Sequence, residues 1–221
     1  MHAKRKDKGM GRTPKIMLWV ATLVVIVAGV TVFSRLYQVD SLTAQSLRAA
    51  GIVVLPKART LPAITLTNTH NQPVAMNELT GQWRLLFFGY TFCPDICPTT
   101  LAELKQVRAQ LPDNLRDQLG LIMVSLDPHR DTPEQLGKYV TFFKADIEGL
   151  TGPLESIQTL SNRVGIPFVP GDTSKENYTV DHSGNLVIIA PDGKQYGFVR
   201  APLKVAPLAQ QLPVLMQSTA K

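Results

Sequence analysis

The feature that most constrains the fold of this chain is a largely apolar run from Trp83 to Tyr90. Apolar runs of this length are typical of strands that are buried on both faces, as in sheets covered by helices. The segment Thr99–Leu111 follows with apolar residues at spacings of three and four, which predicts a helix. A second buried strand is predicted at Leu121–Leu126. The sequence therefore predicts a strand-helix-strand unit, the basic element of an α/β sheet.

The flanking segments extend this unit into a mixed sheet. Thr132 is predicted to cap a helix that begins at Pro133 and ends near Phe143, because proline is favoured at the first helical position. A turn at Pro191-Asp192-Gly193 predicts an antiparallel hairpin in the second half. This order predicts an α/β, thioredoxin-like fold, a mixed sheet flanked by helices. The other predicted elements are a hairpin at Ile64–Leu66 and Gln72–Val74, a helix at Leu154–Val164, strands at Leu186–Ile189 and Tyr196–Val199, and a closing helix at Pro207–Met216.

An apolar segment near the N-terminus, Ile16–Phe33, contains 18 residues without a charge. A helix of this length spans about 27 Å, close to the thickness of the hydrocarbon core of a bilayer. A cleaved signal peptide is the alternative, but the residues that follow include Arg35 and offer no A-x-A-like cleavage site. A buried core helix is disfavoured, because apolar residues occupy every face of the segment. We therefore predict a transmembrane helix at 16–34.

Positive charge is concentrated before this segment. Residues 1–15 carry six of the 23 basic residues of the chain and one of its 17 acids, so the remainder is nearly neutral. This distribution excludes a nucleic-acid-binding face on the main domain, which would need clustered Lys and Arg. The stronger positive cluster stays in the cytoplasm, which predicts a cytoplasmic arm at 1–15. A linker at 35–59 and a periplasmic domain at 60–221 follow, anchored in a bacterial inner membrane.

The two cysteines of the chain, Cys93 and Cys97, lie between the first predicted strand and its helix. Loops at the carboxyl ends of strands hold the functional sites of open α/β sheets, and the start of a helix stabilises a thiolate. Three interpretations are open at this stage. A structural disulfide is disfavoured, because so short a loop constrains the unfolded chain little. The other two are a redox dithiol and a soft-metal site, since thiolates select Cu(I) or Zn over hard cations.

A metal site in this loop needs at least one more ligand, and the chain contains four histidines. His2 lies in the basic arm, whereas His70 and His129 lie in polar loops. His182 precedes the predicted strand that starts at Leu186, which would place it beside the cysteine loop. Spacing alone does not choose among these histidines.

Three segments together resemble the Sco/SenC family of copper chaperones. The first is Phe87–Leu101, with the sequence FFGYTFCPDICPTTL, which contains both cysteines. The second runs from Val124 to Glu134 and the third from Tyr178 to Ser183. The resemblance covers Leu61–Val199 and agrees with an N-terminal anchor. Three segments in the same order are a specific signal, whereas a lone C-x-x-x-C would be a weak one.

The resemblance implies a thioredoxin-like fold and one copper ion, Cu(I) or Cu(II), bound by Cys93, Cys97 and His182. It implies a metallochaperone rather than an enzyme, which delivers copper to the CuA centre of cytochrome c oxidase during assembly. The implied partners are a copper-accepting oxidase subunit and an upstream copper donor or thiol reductant. Asp181 is a candidate to orient His182 by accepting a hydrogen bond from the imidazole.

Two other functions are open at this stage. A periplasmic thiol-disulfide oxidoreductase would use Cys93 and Cys97 as a catalytic pair that reduces acceptor cysteines, and it would not need His182. A copper-responsive sensor would need a partner that responds to the metal without receiving it. Asp127 and Asp131 are interpreted as loop acids that favour a helix start, not as ligands. The residues predicted to pack around the sulfurs are Tyr90, Phe92 and Ile96, with the alternative that an exposed Phe92 or Ile96 touches a partner.

Overall fold

The computed structural model describes Trp19, residues 22–31 and residues 44–218. The chain divides into two compact units, Met1–Gln45 and Ser46–Lys221. In the first unit, residues 22–31 are helical. No helix among the described residues is long and apolar enough to cross a membrane. The arm predicted at 1–15 lies outside the described residues, as does much of the segment predicted at 16–34.

The second unit alternates strands and helices, as the sequence predicted for an α/β fold. A single turn of 3-10 helix spans Met76–Glu78. The strands are β1 (Ile52–Thr60), β2 (Thr65–Asn68), β3 (Pro73–Ala75), β4 (Trp83–Gly89), β5 (Leu119–Ser125), β6 (Ile147–Thr151), β7 (Leu186–Ile189) and β8 (Lys194–Val199). The helices are α1 (Ile96–Gln110), α2 (Asp113–Arg116), α3 (Pro133–Phe142), α4 (Leu154–Val164) and α5 (Val205–Ser218).

The strands form one mixed sheet in the order β1-β8-β7-β4-β5-β6-β2-β3. β4, β5 and β6 are parallel to one another, and the other neighbouring pairs are antiparallel. Nearly every residue of β4 and β5 is buried, as expected for central strands covered on both faces. The helices pack by their apolar faces, as α4 does through Ile157, Leu160 and Val164. The predicted thioredoxin-like arrangement is confirmed.

The prediction of a linker at 35–59 is wrong where the chain forms the edge strand β1. β1 pairs with β8, and its register shifts between Val54 and Arg59. Pro56 lies within this irregularity, where proline is tolerated because it has no N–H to donate to a neighbouring strand. The proline and the basic residues beside it interrupt the alternation of apolar and polar residues that would have predicted a strand.

The carboxyl ends of β4 and β5 position the candidate site. These strands are parallel, and Gly89 at the end of β4 pairs with Ser125 at the end of β5. The N–H of Leu126 donates to the carbonyl of Gly89 at 2.8 Å, which keeps the two following loops close together. The first loop leads into α1 and carries the cysteines, and the second leads into α3. Thr132 caps α3 as predicted, because its side chain accepts from the N–H of Gln135.

Candidate metal centre

The loop after β4 carries both cysteines, which are buried free thiols. Helix α1 begins at Ile96, so Cys97 lies in its first turn. The N–H of Cys97 donates to the Sγ atom of Cys93 at 3.4 Å. Backbone N–H groups in the first turn of a helix have no acceptor within the helix. One of these groups therefore stabilises the Cys93 sulfur, and the loop closes with a hydrogen bond from the N–H of Cys93 to the carbonyl of Tyr90 at 3.3 Å.

His182 meets the cysteines from the segment that precedes β7. Its Nε2 atom lies 3.4 Å from the Sγ atom of Cys97 and 3.8 Å from that of Cys93. The three ligand atoms lie within 4.8 Å of one another and form a candidate metal site. The ring of Tyr90 packs edge-on against the imidazole, with 5.6 Å between the ring centroids. This contact restricts the orientations that the imidazole can adopt.

The second ring nitrogen of His182 is held by the backbone. Nδ1 lies 3.1 Å from the carbonyl oxygen of Ser183. A carbonyl oxygen can only accept, so Nδ1 carries the proton in this hydrogen bond and Nε2 keeps its lone pair toward the sulfurs. The assignment of this orienting role to Asp181 is therefore corrected. The side chain of Asp181 is exposed, and the neighbouring carbonyl of Ser183 takes the place that was predicted for the carboxylate.

The two thiols differ in acidity. The pKa of Cys93 is lowered to about 4, mainly by the hydrogen bond from Cys97 and further by backbone N–H groups of the loop. The pKa of Cys97 is raised well above its ordinary value, because it donates that hydrogen bond and because it is buried. At neutral pH the pair therefore holds one proton, with Cys93 as the thiolate and Cys97 as the thiol.

Asp131 holds the cysteine loop from the neighbouring β5–α3 loop. Its carboxylate accepts from the N–H of Thr91 at 3.0 Å and from the hydroxyls of Thr91 and Ser125, both at 2.6 Å. Asp131 is fully buried, and burial raises its pKa although these hydrogen bonds oppose the shift. Its interpretation as a loop acid that serves a helix start is corrected, since it ties two loops together. The rule that places functional residues at the carboxyl ends of strands would have indicated it.

Asp127 also differs from the sequence-based interpretation, because it is buried. Its carboxylate accepts from the hydroxyl of Tyr178 at 2.6 Å and forms an ion pair with Arg130. Tyr178 lies four residues before His182, so Asp127 connects the β5–α3 loop to the segment that carries the histidine. Neither Asp127 nor Asp131 belongs to the cluster of ligand atoms.

Among the described residues, the other histidines, His70 and His129, lie outside this cluster. The ring of His129 packs against the ring of Tyr178, with 6.5 Å between the centroids. His70 lies in the turn between β2 and β3, and His2 lies outside the described residues.

The surroundings of the sulfurs are partly exposed. Tyr90 is buried, as predicted, whereas Phe92 and Ile96 are 54% and 36% exposed. Of the two predictions for Phe92 and Ile96, exposed side chains agree with the structure, because large parts of both face outward. Cys97 is fully buried, but Cys93 keeps 9% of its surface exposed. A molecule that approaches the sulfurs therefore meets Cys93 first.

This chain is similar to proteins whose names refer to copper or to SCO1. A protein of Stutzerimonas stutzeri named "Putative copper-binding protein" is 44% identical over 169 residues, which cover 76% of this chain and 83% of that protein. The mitochondrial "Protein SCO1 homolog" of Mus musculus is 32% identical over 159 residues. That match covers 71% of this chain and 56% of the mouse protein, so the chain spans about half the length of this relative.

Solved structures and a family model give the same assignment. Arabidopsis thaliana ScoI with copper bound matches at a TM-score of 0.65 with 28% identity, covering 72% of this chain and 98% of that chain. Bradyrhizobium japonicum ScoI with copper bound matches at a TM-score of 0.60 with 29% identity, covering 70% and 98%. The SCO1/SenC family model matches residues 55–217, which contain all three ligand atoms of the candidate site. The chain belongs to the SCO1/SenC family.

Proposed function

We propose that this chain is a membrane-anchored chaperone that binds copper and delivers it to the CuA centre of cytochrome c oxidase during assembly. The observation that carries the proposal is the convergence of two sulfurs and one imidazole nitrogen within 4.8 Å. Thiolates and imidazole are the ligand types that suit copper, whereas hard cations prefer oxygen ligands. The copper-binding relative and the copper-bound structures of related proteins support the choice of metal.

The protonation states of the ligands suit Cu(I) binding. Cys93 is already a thiolate at neutral pH, because its pKa is lowered to about 4. Cys97 must lose its proton when its sulfur binds the metal, since its pKa is raised. The hydrogen bond from Nδ1 of His182 to the carbonyl of Ser183 keeps Nε2 available as the third ligand.

Release by ligand exchange follows from the burial of the three ligands. Cys97 is fully buried, whereas Cys93 and His182 are partly accessible. Thiolates and imidazoles of an acceptor would therefore replace Cys93 or His182 first and Cys97 last. Phe92 and Ile96 flank this route, because each is exposed and adjacent in sequence to one of the cysteines.

The acceptor and the anchor are further parts of the proposal. The Sco/SenC resemblance supports an oxidase subunit as acceptor, and the apolar segment 16–34 after the basic arm supports an inner-membrane anchor with a periplasmic domain. An anchor in that membrane would confine the search for the acceptor to the plane of the same membrane.

Titration of Cu(I) tests the copper-binding role. The full chain, reduced and kept free of oxygen, would be titrated against a competing Cu(I) chelator beside the variants His182→Ala and Cys97→Ser. One tight equivalent that weakens in both variants is the expected result. Binding that weakens only in Cys97→Ser would remove His182 from the ligand set, and no tight binding by the wild type would overturn the proposal.

Membrane anchoring has a separate test. The full chain should sediment with membranes and resist extraction at high salt and high pH, whereas a chain that starts at residue 35 should remain in the supernatant. Recovery of the full chain in the supernatant would contradict an uncleaved anchor.

The lowered pKa of Cys93 favours a second function, thiol-disulfide exchange. A thiolate that is present at neutral pH is the form that attacks disulfides. Reduction of acceptor cysteines needs Cys93 and Cys97 but not an imidazole ligand. If exchange is the main function, His182→Ala should retain reductase activity on a protein disulfide, and Cu(I) affinity should not determine function.

A further inference from the structure

Arg130 lies in the β5–α3 loop and contacts both of the segments that supply the metal ligands. We propose that Arg130 is a positioning residue, which holds the segment carrying His182 against the loop carrying the cysteines. This proposal rests on the proposed function, because the residue that is positioned, His182, is a proposed copper ligand. The contacts of Arg130 are themselves present in the metal-free protein.

The contacts of Arg130 with the histidine segment are made through Tyr178. One guanidinium N–H donates to the carbonyl of Tyr178 at 3.1 Å, and the guanidinium carbon lies 3.6 Å from the centroid of the Tyr178 ring. The ion-pair partner of Arg130, Asp127, accepts from the hydroxyl of the same tyrosine at 2.6 Å. The carbonyl and the hydroxyl of Tyr178 are therefore both bound by residues of the β5–α3 loop. Tyr178 precedes His182 by four residues, so this contact limits the movement of the ligand.

The contacts of Arg130 with the cysteine loop are made through two aromatic rings. The guanidinium carbon lies 4.7 Å from the ring centroid of Phe92, which is adjacent in sequence to Cys93. It lies 5.8 Å from the ring centroid of Tyr90, which packs edge-on against the imidazole of His182. A planar cation that stacks on aromatic faces can bridge these rings, whereas a lysine would supply only a point charge.

The burial of these groups makes the contacts strong. The side chain of Arg130 is 16% exposed and that of Asp127 is 3% exposed. Ion pairs and cation–π contacts that are shielded from water are stronger than those on the surface. Asp131, at the end of the same loop, holds Thr91 of the cysteine loop. The β5–α3 loop thus contacts both segments that carry the ligands. Arg130 itself contacts both of these segments.

The test compares Arg130→Lys with a matched control, Arg108→Lys. The side chain of Arg108 is 17% exposed and, like Arg130, binds a carboxylate and backbone carbonyls, those of Ala145 and Asp146. It lies in the last turn of α1, away from the first turn that carries Cys97. Each substitution would be made in the wild-type full chain and in His182→Ala, and urea unfolding would establish that each variant folds.

The copper arm of the test is a double-mutant cycle. Arg130→Lys should weaken Cu(I) binding at least about tenfold in the wild type, because cation–π and charge-assisted contacts are lost. The same change should cost less than about twofold in His182→Ala, where the positioned ligand is already absent. Tyr178→Phe should produce a smaller loss in the same direction. Equal losses in both backgrounds, or a loss in Arg108→Lys as large as that in Arg130→Lys, would overturn the proposal.

The second arm needs no metal and separates this proposal from the proposed function. The N–H of Asp181, next to His182, donates to the carbonyl of Val169 at 3.3 Å. Amide hydrogen exchange of residues 178–185, followed by mass spectrometry on the metal-free chain, should be faster in Arg130→Lys than in the wild type and unchanged in Arg108→Lys. Unchanged exchange in Arg130→Lys would overturn the positioning role even if copper binds. Faster exchange in a chain that fails to bind copper would overturn the proposed function alone.

Discussion

The Nε2 atom of His182 lies 3.4 Å from the Sγ atom of Cys97, although 85 residues separate them in the chain. The first turn of α1 supplies the sulfur, and the segment before β7 supplies the nitrogen. Because β7 pairs with β4, the strand that leads to the cysteines, formation of the central sheet brings the two segments together. A site assembled in this way exists only in the folded chain, so its ligands should report on folding as well as on metal binding.

Copper binding should release protons in a predictable number. Between the lowered pKa of Cys93, about 4, and the raised pKa of Cys97, the metal-free pair holds one proton. Binding of both sulfurs to Cu(I) displaces that proton, so affinity should rise about tenfold per pH unit within this range. Proton release in weakly buffered solution and Cu(I) competition between pH 6 and 8 would measure both quantities. Release of two protons would show that Cys93 is protonated in the metal-free chain and that its pKa is not lowered.

The two thiols should react at different rates with an alkylating agent. Cys93 is a thiolate across the neutral range and is partly accessible, whereas Cys97 is protonated and fully buried. In the reduced, metal-free chain, iodoacetamide should label Cys93 at a rate that is nearly independent of pH between 5 and 8, because the thiolate is the reactive form. Peptide mass analysis would identify the labelled residue. Preferential labelling of Cys97, or a rate that rises with pH up to about 8.5, would contradict the assignment.

Asp131→Asn should destabilise the fold by about 1–3 kcal/mol. The buried carboxylate of Asp131 accepts three hydrogen bonds, whereas asparagine would replace one of its oxygens by an NH2 group. That group can only donate, so it would face another donor. The affected donors are the N–H and hydroxyl of Thr91 and the hydroxyl of Ser125. Urea unfolding would measure the loss as a lower midpoint. Glu134→Gln is the matched control, since Glu134 is exposed and loses an ion pair with Lys138 and a favourable charge in the first turn of α3. Equal midpoints for the two variants would show that Asp131 does not hold the loops.

Sequence patterns predicted the elements whose apolar residues are regularly spaced within the element itself. The strand predicted at Trp83–Tyr90 is β4, and the helix predicted at Leu154–Val164 has the same bounds in the structure. β6 was not predicted, because it is short and contains Glu148 and Gly149. Its glycine is required by packing, since a Cβ atom on Gly149 would lie 2.8 Å from the side chain of Leu136 in α3. Such a requirement comes from a neighbouring element and leaves no periodic signal in the strand.

The candidate site was predictable only in part from the residues themselves. Their order along the chain placed Cys93 and Cys97 at the end of a strand, but spacing did not distinguish His182 from the other histidines. The family resemblance supplied that choice. The burial of Asp127 and Asp131 was missed because their partners, Tyr178 and Thr91, lie 51 and 40 residues away in the chain. A position after the carboxyl end of a strand marks such an acid as a candidate, but tertiary packing decides whether it is solvated or holds two segments together.

Gly89 should be essential to the geometry of the site, because it lies at the end of β4 directly behind Cys97. A Cβ atom at this position would lie 2.8 Å from the Sγ atom of Cys97 and 2.6 Å from the ring of Phe87. Both distances are shorter than van der Waals contact, and the surroundings are fully buried. Gly89→Ala should therefore push the sulfur away from Nε2 of His182, and overpacking should cost about 1–3 kcal/mol of stability. Cu(I) competition and urea unfolding on the same preparation would measure the two effects.

Gly137→Ala provides the control for this substitution. Gly137 lies within α3, and a Cβ atom there would come no closer than 3.3 Å to its nearest neighbour, Thr69. Alanine is favoured over glycine inside helices by up to about 1 kcal/mol, so this variant should keep at least the stability of the wild type if Thr69 yields slightly. Its Cu(I) affinity should be unchanged. Wild-type affinity in Gly89→Ala would show that the Cys97 sulfur can bind copper from another position, and the close approach of strand and sulfur would then have no role in the site.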